Sequence, residues 1–241
     1  FLAGVVCAGL MWLEYWKVTT KTEPDALMYA LGAGMVLALV GTVWMGLPVW
    51  LCFAALFFGG LTVCMLTRKP RAVWLAPGLV LIGFAVYSLN LLREGGQEAL
   101  LLTLVVMAGV WITDIAAYFA GRGFGGPALS PRGSPNKTWS GAVGAIICTA
   151  LLGALVAGLI GVPMLAWIVF LGSVSLLGQL GDLCESYWKR HFGVKDSGAL
   201  IPGHGGIIDR LDSFSAVLIA CGLISGFKPD FFDQTLGLNA L

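Results

Sequence analysis

Asp182, Ser186 and Lys189 stand at i, i+4 and i+7, a spacing that puts all three on one face of a helix. Glu185 and Arg190 lie beside that face. Such a helix offers carboxylates at one end and cations one to two turns further on. Shortly after comes PGHGGIIDRLDS, a glycine-rich turn that leads into a second helix. Gly203, Gly205 and Gly206 permit positive φ and close backbone approach. A helix N-terminus beside them is expected to present free N–H groups to phosphate oxygens. Asp209 and Asp212, at i and i+3, project from one side of that helix. The chemistry these residues could do is the binding of a nucleoside triphosphate together with a divalent cation. Carboxylate oxygens suit Mg²⁺, which takes one or two carboxylates and completes its shell with phosphate and water. Zinc would call for His or Cys, and neither His191 nor His204 has suitable companions. His204 is assigned to loop structure or phosphate contact, and His191 to the surface.

The chain carries 14 Lys and Arg and 13 Asp and Glu, and nine of these charges lie between Asp182 and Asp212 with both histidines. A helix at a membrane surface can carry such charges for solvation alone, but Asp182 directly follows the apolar run LLGQLG. Dense charge set against membrane helices usually marks a site. Two further stretches add to it. Asp114 sits within an apolar segment, where an ionised carboxylate needs a partner or a wet cavity. Lys137 and Thr138 open another apolar segment after the proline-bearing loop SPRGSPNKT and could hold a phosphate. No GxxxxGK[ST] P-loop occurs.

The elements that must position these residues are membrane helices. The chain is 58% hydrophobic and only 11% charged, with a mean hydropathy of +0.89. A soluble domain carries roughly 25% charged residues, so this is an all-α polytopic membrane protein. The net charge of +1 offers nothing to nucleic acid. Eight spans are predicted, near 1–16, 26–45, 49–66, 72–92, 99–120, 139–160, 163–180 and 207–227. Alternating their ends across the bilayer puts twelve Lys and Arg on one face and only Arg93 and Lys228 on the other. The positive-inside rule makes the first face cytoplasmic. The 122–138 loop and the 182–212 island then share that face, within reach of a soluble cytosolic substrate. Residues 1–98 are read as N-terminal transmembrane helices and 99–241 as the catalytic transmembrane region. The start on Phe1 within an apolar run, without a basic n-region, points to a hydrophobic segment missing before it. The six cysteines show no CxxC spacing and read as small buried hydrophobes.

Read together, these stretches resemble the CDP-diacylglycerol synthase family, the phosphatidate cytidylyltransferases. The family's C-terminal motif is matched by Ser186, Lys189, Arg190, Lys195, Asp196, Gly198, Pro202, Gly203, His204, Gly205, Gly206, Asp209, Arg210 and Asp212, and Gly181-Asp182 fits just before it. Asp114, Ala117, Tyr118 and Gly121, and then Ser134, Pro135, Lys137, Thr138, Trp139 and Gly141, match two earlier stretches. The resemblance covers at least residues 111–213. It departs at Ser140, where family members often carry Glu.

The resemblance implies transfer of CMP from CTP to phosphatidic acid, giving CDP-diacylglycerol and pyrophosphate for phospholipid synthesis. On that reading Asp182 and Asp209 hold Mg²⁺, with Asp212 a third ligand or supporting partner. Ser186, Lys189 and Arg190 complete the catalytic set. Lys195, Arg210 and the His204–Gly206 turn contact the triphosphate, while Asp114, Lys137 and Thr138 close the cavity near the phosphatidate headgroup. The resemblance also implies K⁺ beside Mg²⁺, a homodimer, and a bacterial inner membrane with the site facing the cytoplasm. The alternatives are a related enzyme for another lipid phosphate and, from another class, a transporter, since intramembrane Asp114 and glycine-broken spans are transporter features too.

Overall fold

The computed structural model describes residues 1–67, 72–94, 96–200 and 205–238. Its helices are α1 (Leu2–Thr20), α2 (Ala26–Met45), α3 (Val49–Thr67), α4 (Leu75–Arg93), α5 (Gln97–Phe124), α6 (Trp139–Ile160), α7 (Met164–His191), α8 (Ile208–Phe227) and the short α9 (Phe231–Leu236). A 3₁₀ turn, Ala72–Trp74, precedes α4. Among the described residues six helices (α2, α4, α5, α6, α7 and α8) are long and apolar enough to cross a membrane, and α3 contributes the shorter apolar stretch Val49–Thr62. The molecule is an all-α polytopic membrane protein. α1 falls outside that set, because Glu14 and Lys17 interrupt its apolar run.

Two features add to the sequence reading. α7 does not stop where its apolar run ends near Leu180 but continues to His191. At 1.5 Å per residue its 28 residues reach about 42 Å, beyond the ~30 Å of a hydrocarbon core. The loop after α5 also carries a small antiparallel ribbon, β1 (Ala128–Ser130) against β2 (Ser134–Thr138), with Ala128 opposite Thr138 and Ser130 opposite Ser134.

The described chain divides into two compact units that interleave along the sequence. The first comprises residues 1–90 and 189–211. In it α1 turns its indoles inward, with Trp12 and Trp16 essentially fully buried. Trp12 Nε1 donates to the Met28 carbonyl at 3.0 Å, and the Tyr15 hydroxyl donates to the Trp74 carbonyl at 2.9 Å. These two bonds fix the rotation of α1 about its axis. Asp25 caps α2 by accepting from Met28 N at 3.0 Å.

The second unit comprises residues 91–188 and 212–241. Its core joins α5 to α6 through a buried Thr113–Thr149 hydroxyl pair at 3.0 Å. Buried Trp167 of α7 donates to the Leu236 carbonyl at 3.0 Å and so docks α9. Among the described residues Cys7, Cys52, Cys148, Cys184 and Cys221 are free thiols.

Candidate active site

The second unit assembles an acidic cluster from α7 and α8. A Cβ placed on Gly181 would lie 3.0 Å from the Asp212 carbonyl and against the Ala216 methyl, so only glycine lets the helices pass this closely. That approach brings Asp182 and Glu185, one turn apart on α7, to Asp212 on α8. One carboxylate oxygen from each lies within 4.8 Å of the others, and all three residues are half-buried. Octahedral ligands at about 2.1 Å from Mg²⁺ are about 3.0 Å apart when adjacent and about 4.2 Å when opposite. The three carboxylates therefore fit one hard cation after a small contraction.

Beside this cluster a cavity of about 600 Å³ opens between α5, the ribbon, α6 and α7. Asp114, Tyr118, Arg122, Lys137, Gln179 and Asp182 are in its wall. The Lys137 ammonium pairs with an Asp182 carboxylate oxygen, and Ser186 Oγ approaches the other at 3.4 Å. Arg122 donates to the Tyr118 hydroxyl at 2.8 Å. Asp114, within its apolar helix, thus borders this cavity. The ribbon is held to α7 by a 2.7 Å hydrogen bond between Ser130 and Tyr187 hydroxyls. Thr138, expected to touch phosphate, caps α6 by accepting from Gly141 N at 3.1 Å. Ser140, at the position where the family often has Glu, donates to the Gly125 carbonyl and ties α6 to the end of α5.

The first unit holds the other group of candidates. Lys189 Nζ lies 2.7 Å from Asp209 Oδ1, with both side chains nearly buried. Asp209 also accepts from Ser197 N at 2.9 Å and from Gly206 N at 2.8 Å. Asp209, expected as a metal ligand, is here engaged by three donors. Arg190 donates to the Val194 carbonyl at 3.0 Å, and Lys195 and Arg210 are exposed. His191 is exposed against Trp74, ring centroids 5.3 Å apart. Pro202, Gly203 and His204 lie outside the described residues. Gly205 adopts the expected positive φ, +84°.

The start of α8 departs from the expected phosphate cradle. Its first amides, Ile207 N and Ile208 N, each donate at 3.0 Å to the carboxylate of Glu14, and Gly206 N is taken by Asp209. The N-terminal amides expected to meet phosphate are satisfied by the chain's own carboxylates. Two residues thus escaped the site expected from sequence. Glu185 carried a readable signal, its i+3 spacing from Asp182. Glu14 offered a weaker one, as the one acidic residue of an apolar helix.

The profile of the cytidylyltransferase family matches residues 1–225. The phosphatidate cytidylyltransferases of Brucella suis biovar 1 and Brucella melitensis biotype 1 are each 49% identical over 183 residues, 71% of this chain. The match spans 65% of those relatives' own length. The phosphatidate cytidylyltransferase of Staphylococcus epidermidis is 47% identical over 127 residues, 52% of this chain and 49% of that protein. With a family profile matched over nearly its whole length, the chain belongs to the cytidylyltransferase family.

Proposed function

We propose that this protein transfers CMP from CTP to phosphatidic acid, forming CDP-diacylglycerol and pyrophosphate. A phosphate oxygen of phosphatidate bonds to the α-phosphorus of CTP, and the bond to the bridging oxygen of the β-phosphate breaks. The nucleophile is already an anion, so little general-base help is needed. The demand on the protein is to cancel the repulsion between two polyanions and to align them, and such positioning and charge stabilisation dominate this chemistry.

The observation that carries this reading is the acidic cluster beside a cavity whose wall includes Asp182 itself. Asp182, Glu185 and Asp212 would hold Mg²⁺, with K⁺ as the companion ion that the resemblance implies. A bound divalent ion supplies phosphate neutralisation and polarises the reacting phosphoryl group. Lys137, on the same cavity wall, provides a positive charge for a substrate phosphate, and Asp114, Tyr118 and Arg122 shape the pocket. Ser186 steadies Asp182. Lys189, Arg190, Lys195 and Arg210 are assigned to the triphosphate and departing pyrophosphate, with Asp209 organising Lys189 and the Gly205–Gly206 turn, and His204 is assigned to phosphate contact from the sequence motif. Thr138 serves by fixing the start of α6. The site is read as facing the cytoplasm of a bacterial inner membrane, and the protein as a homodimer.

The test is pyrophosphate release by purified protein in detergent. Release that requires CTP, Mg²⁺ and phosphatidate together supports the reading. Release with a different lipid phosphate but not with phosphatidate keeps the chemistry and replaces the substrate. CTP-independent solute flux in proteoliposomes, with no release, would return the transporter.

A further inference from the structure

We infer that Glu14, on α1 and outside every motif that points to the active site, is a positioning residue for the proposed reaction. Its side chain is almost fully buried, with the residue only 2% exposed. Burying a carboxylate is costly unless donors surround it, and three do. Ile207 N donates to Oε1 at 3.0 Å, Ile208 N to Oε2 at 3.0 Å, and Ser197 Oγ to Oε2 at 3.1 Å. Two of these donors are orphan amides at the start of α8, where the helix dipole also favours a negative charge.

The chain around Glu14 is cut to fit it. A Cβ on Gly198 would stand 2.5 Å from Glu14 Oε1, and one on Gly206 would stand 2.6 Å from Oε2. Trp12 and Tyr15, bonded to the Met28 and Trp74 carbonyls, hold α1 in the rotation that aims Glu14 at this target. Ser197 links two carboxylates: its hydroxyl reaches Glu14 while its amide reaches Asp209. Glu14 therefore holds Ser197 on one side and Ile207 and Ile208 on the other, and through Ser197 and the start of α8 the place of Asp209 and its partner Lys189. Its own carboxylate is taken up by these three donors. Its effect is to hold the basic group assigned to the triphosphate, so the inference rests on that assignment.

The experiment measures CDP-diacylglycerol formation by the full chain in detergent, varying CTP and phosphatidate separately, for wild type, Glu14→Gln and Ser197→Ala. Gln places an amide NH₂ against donors, while Ala at 197 removes one donor and leaves Glu14 in place. Rates are normalised to folded protein by size-exclusion chromatography. Misplacing a binding group by about 1 Å can lower the rate about 100-fold. Glu14→Gln is expected to lower kcat/KM for CTP by about 10- to 100-fold, Ser197→Ala by less, with KM for phosphatidate within about twofold of wild type. If Glu14→Gln does not fold, the same shift confined to CTP in Ser197→Ala carries the test. An active wild type whose variants lose folded protein alone, with normal kcat and both KM values per folded molecule, overturns the role of Glu14. A wild type that makes no CDP-diacylglycerol overturns the proposed function and this role with it.

Discussion

The ammonium of Lys189 on α7 lies 2.7 Å from the carboxylate of Asp209 on α8, and each side chain is little more than a tenth exposed. The pair joins the basic end of one helix to the acidic start of the next, while two backbone amides fill the remaining lone pairs of Asp209. Removing one member of a pair this buried leaves a charge without its partner.

Lys189→Met is accordingly expected to destabilise the protein by about 3 kcal/mol and to slow turnover by about 100-fold. Asp209→Ala should abolish turnover while the protein still enters membranes. Thermal unfolding in detergent and a CMP-transfer assay on the folded fraction check both. Wild-type activity in either variant would remove the pair from the machinery.

The acidic cluster makes a separate prediction. Asp182→Asn and Glu185→Gln each delete one of three carboxylates aimed at a common point. Each should raise the Mg²⁺ concentration needed for half-maximal activity by at least about tenfold. Mn²⁺ binding followed by electron paramagnetic resonance gives a readout that needs no turnover. Unchanged Mn²⁺ affinity in Glu185→Gln would exclude that residue from the ion's shell.

Chelation should act in the same sense. EDTA is expected to stop turnover, and Mg²⁺ in excess to restore it, because an oxygen-only site favours a hard cation. Activity that persists in EDTA would leave the cluster without its assigned role.

Thr138 separates cap from contact. Thr138→Ala removes the acceptor for Gly141 N and should lower stability by about 1 kcal/mol. Thr138→Ser keeps the oxygen and should restore the loss. A Ser variant that is stable yet inactive would point to a substrate contact that needs the threonine methyl.

Gly206→Ala tests the fit around Glu14. The added methyl would fall against the Ser197 hydroxyl and 2.8 Å from Gly198 N. Overpacking of this kind costs about 2 kcal/mol, readable as a lowered unfolding temperature. An unchanged unfolding temperature would show that the connection yields easily.

Much of the fold was legible because apolar runs and their breaks are local. The spans expected at 26–45 and 139–160 coincide with α2 and α6, bounded by Asp25 and Gly46 and by Thr138 and Gly161. Helix beyond Leu180 was legible in the spacing of Asp182, Ser186 and Lys189, but its continuity with the span before it was not, because membrane hydropathy ends near Leu180 while helical backbone does not need it. The site was legible where helical spacing sufficed, as for Asp182, Ser186 and Lys189. It was not legible where residues nearly 200 positions apart meet. No local pattern says that Glu14 will cap α8, or that the amides expected to hold phosphate are already taken.

The most direct measurement follows the α-phosphate. Purified protein is given CTP labelled at the α- or the γ-phosphorus, with Mg²⁺ and phosphatidate, and the lipid is extracted. CMP transfer predicts α-label in the lipid phase as CDP-diacylglycerol and γ-label in aqueous pyrophosphate. γ-Label in the lipid, or no label in the lipid while CTP is consumed, would contradict it.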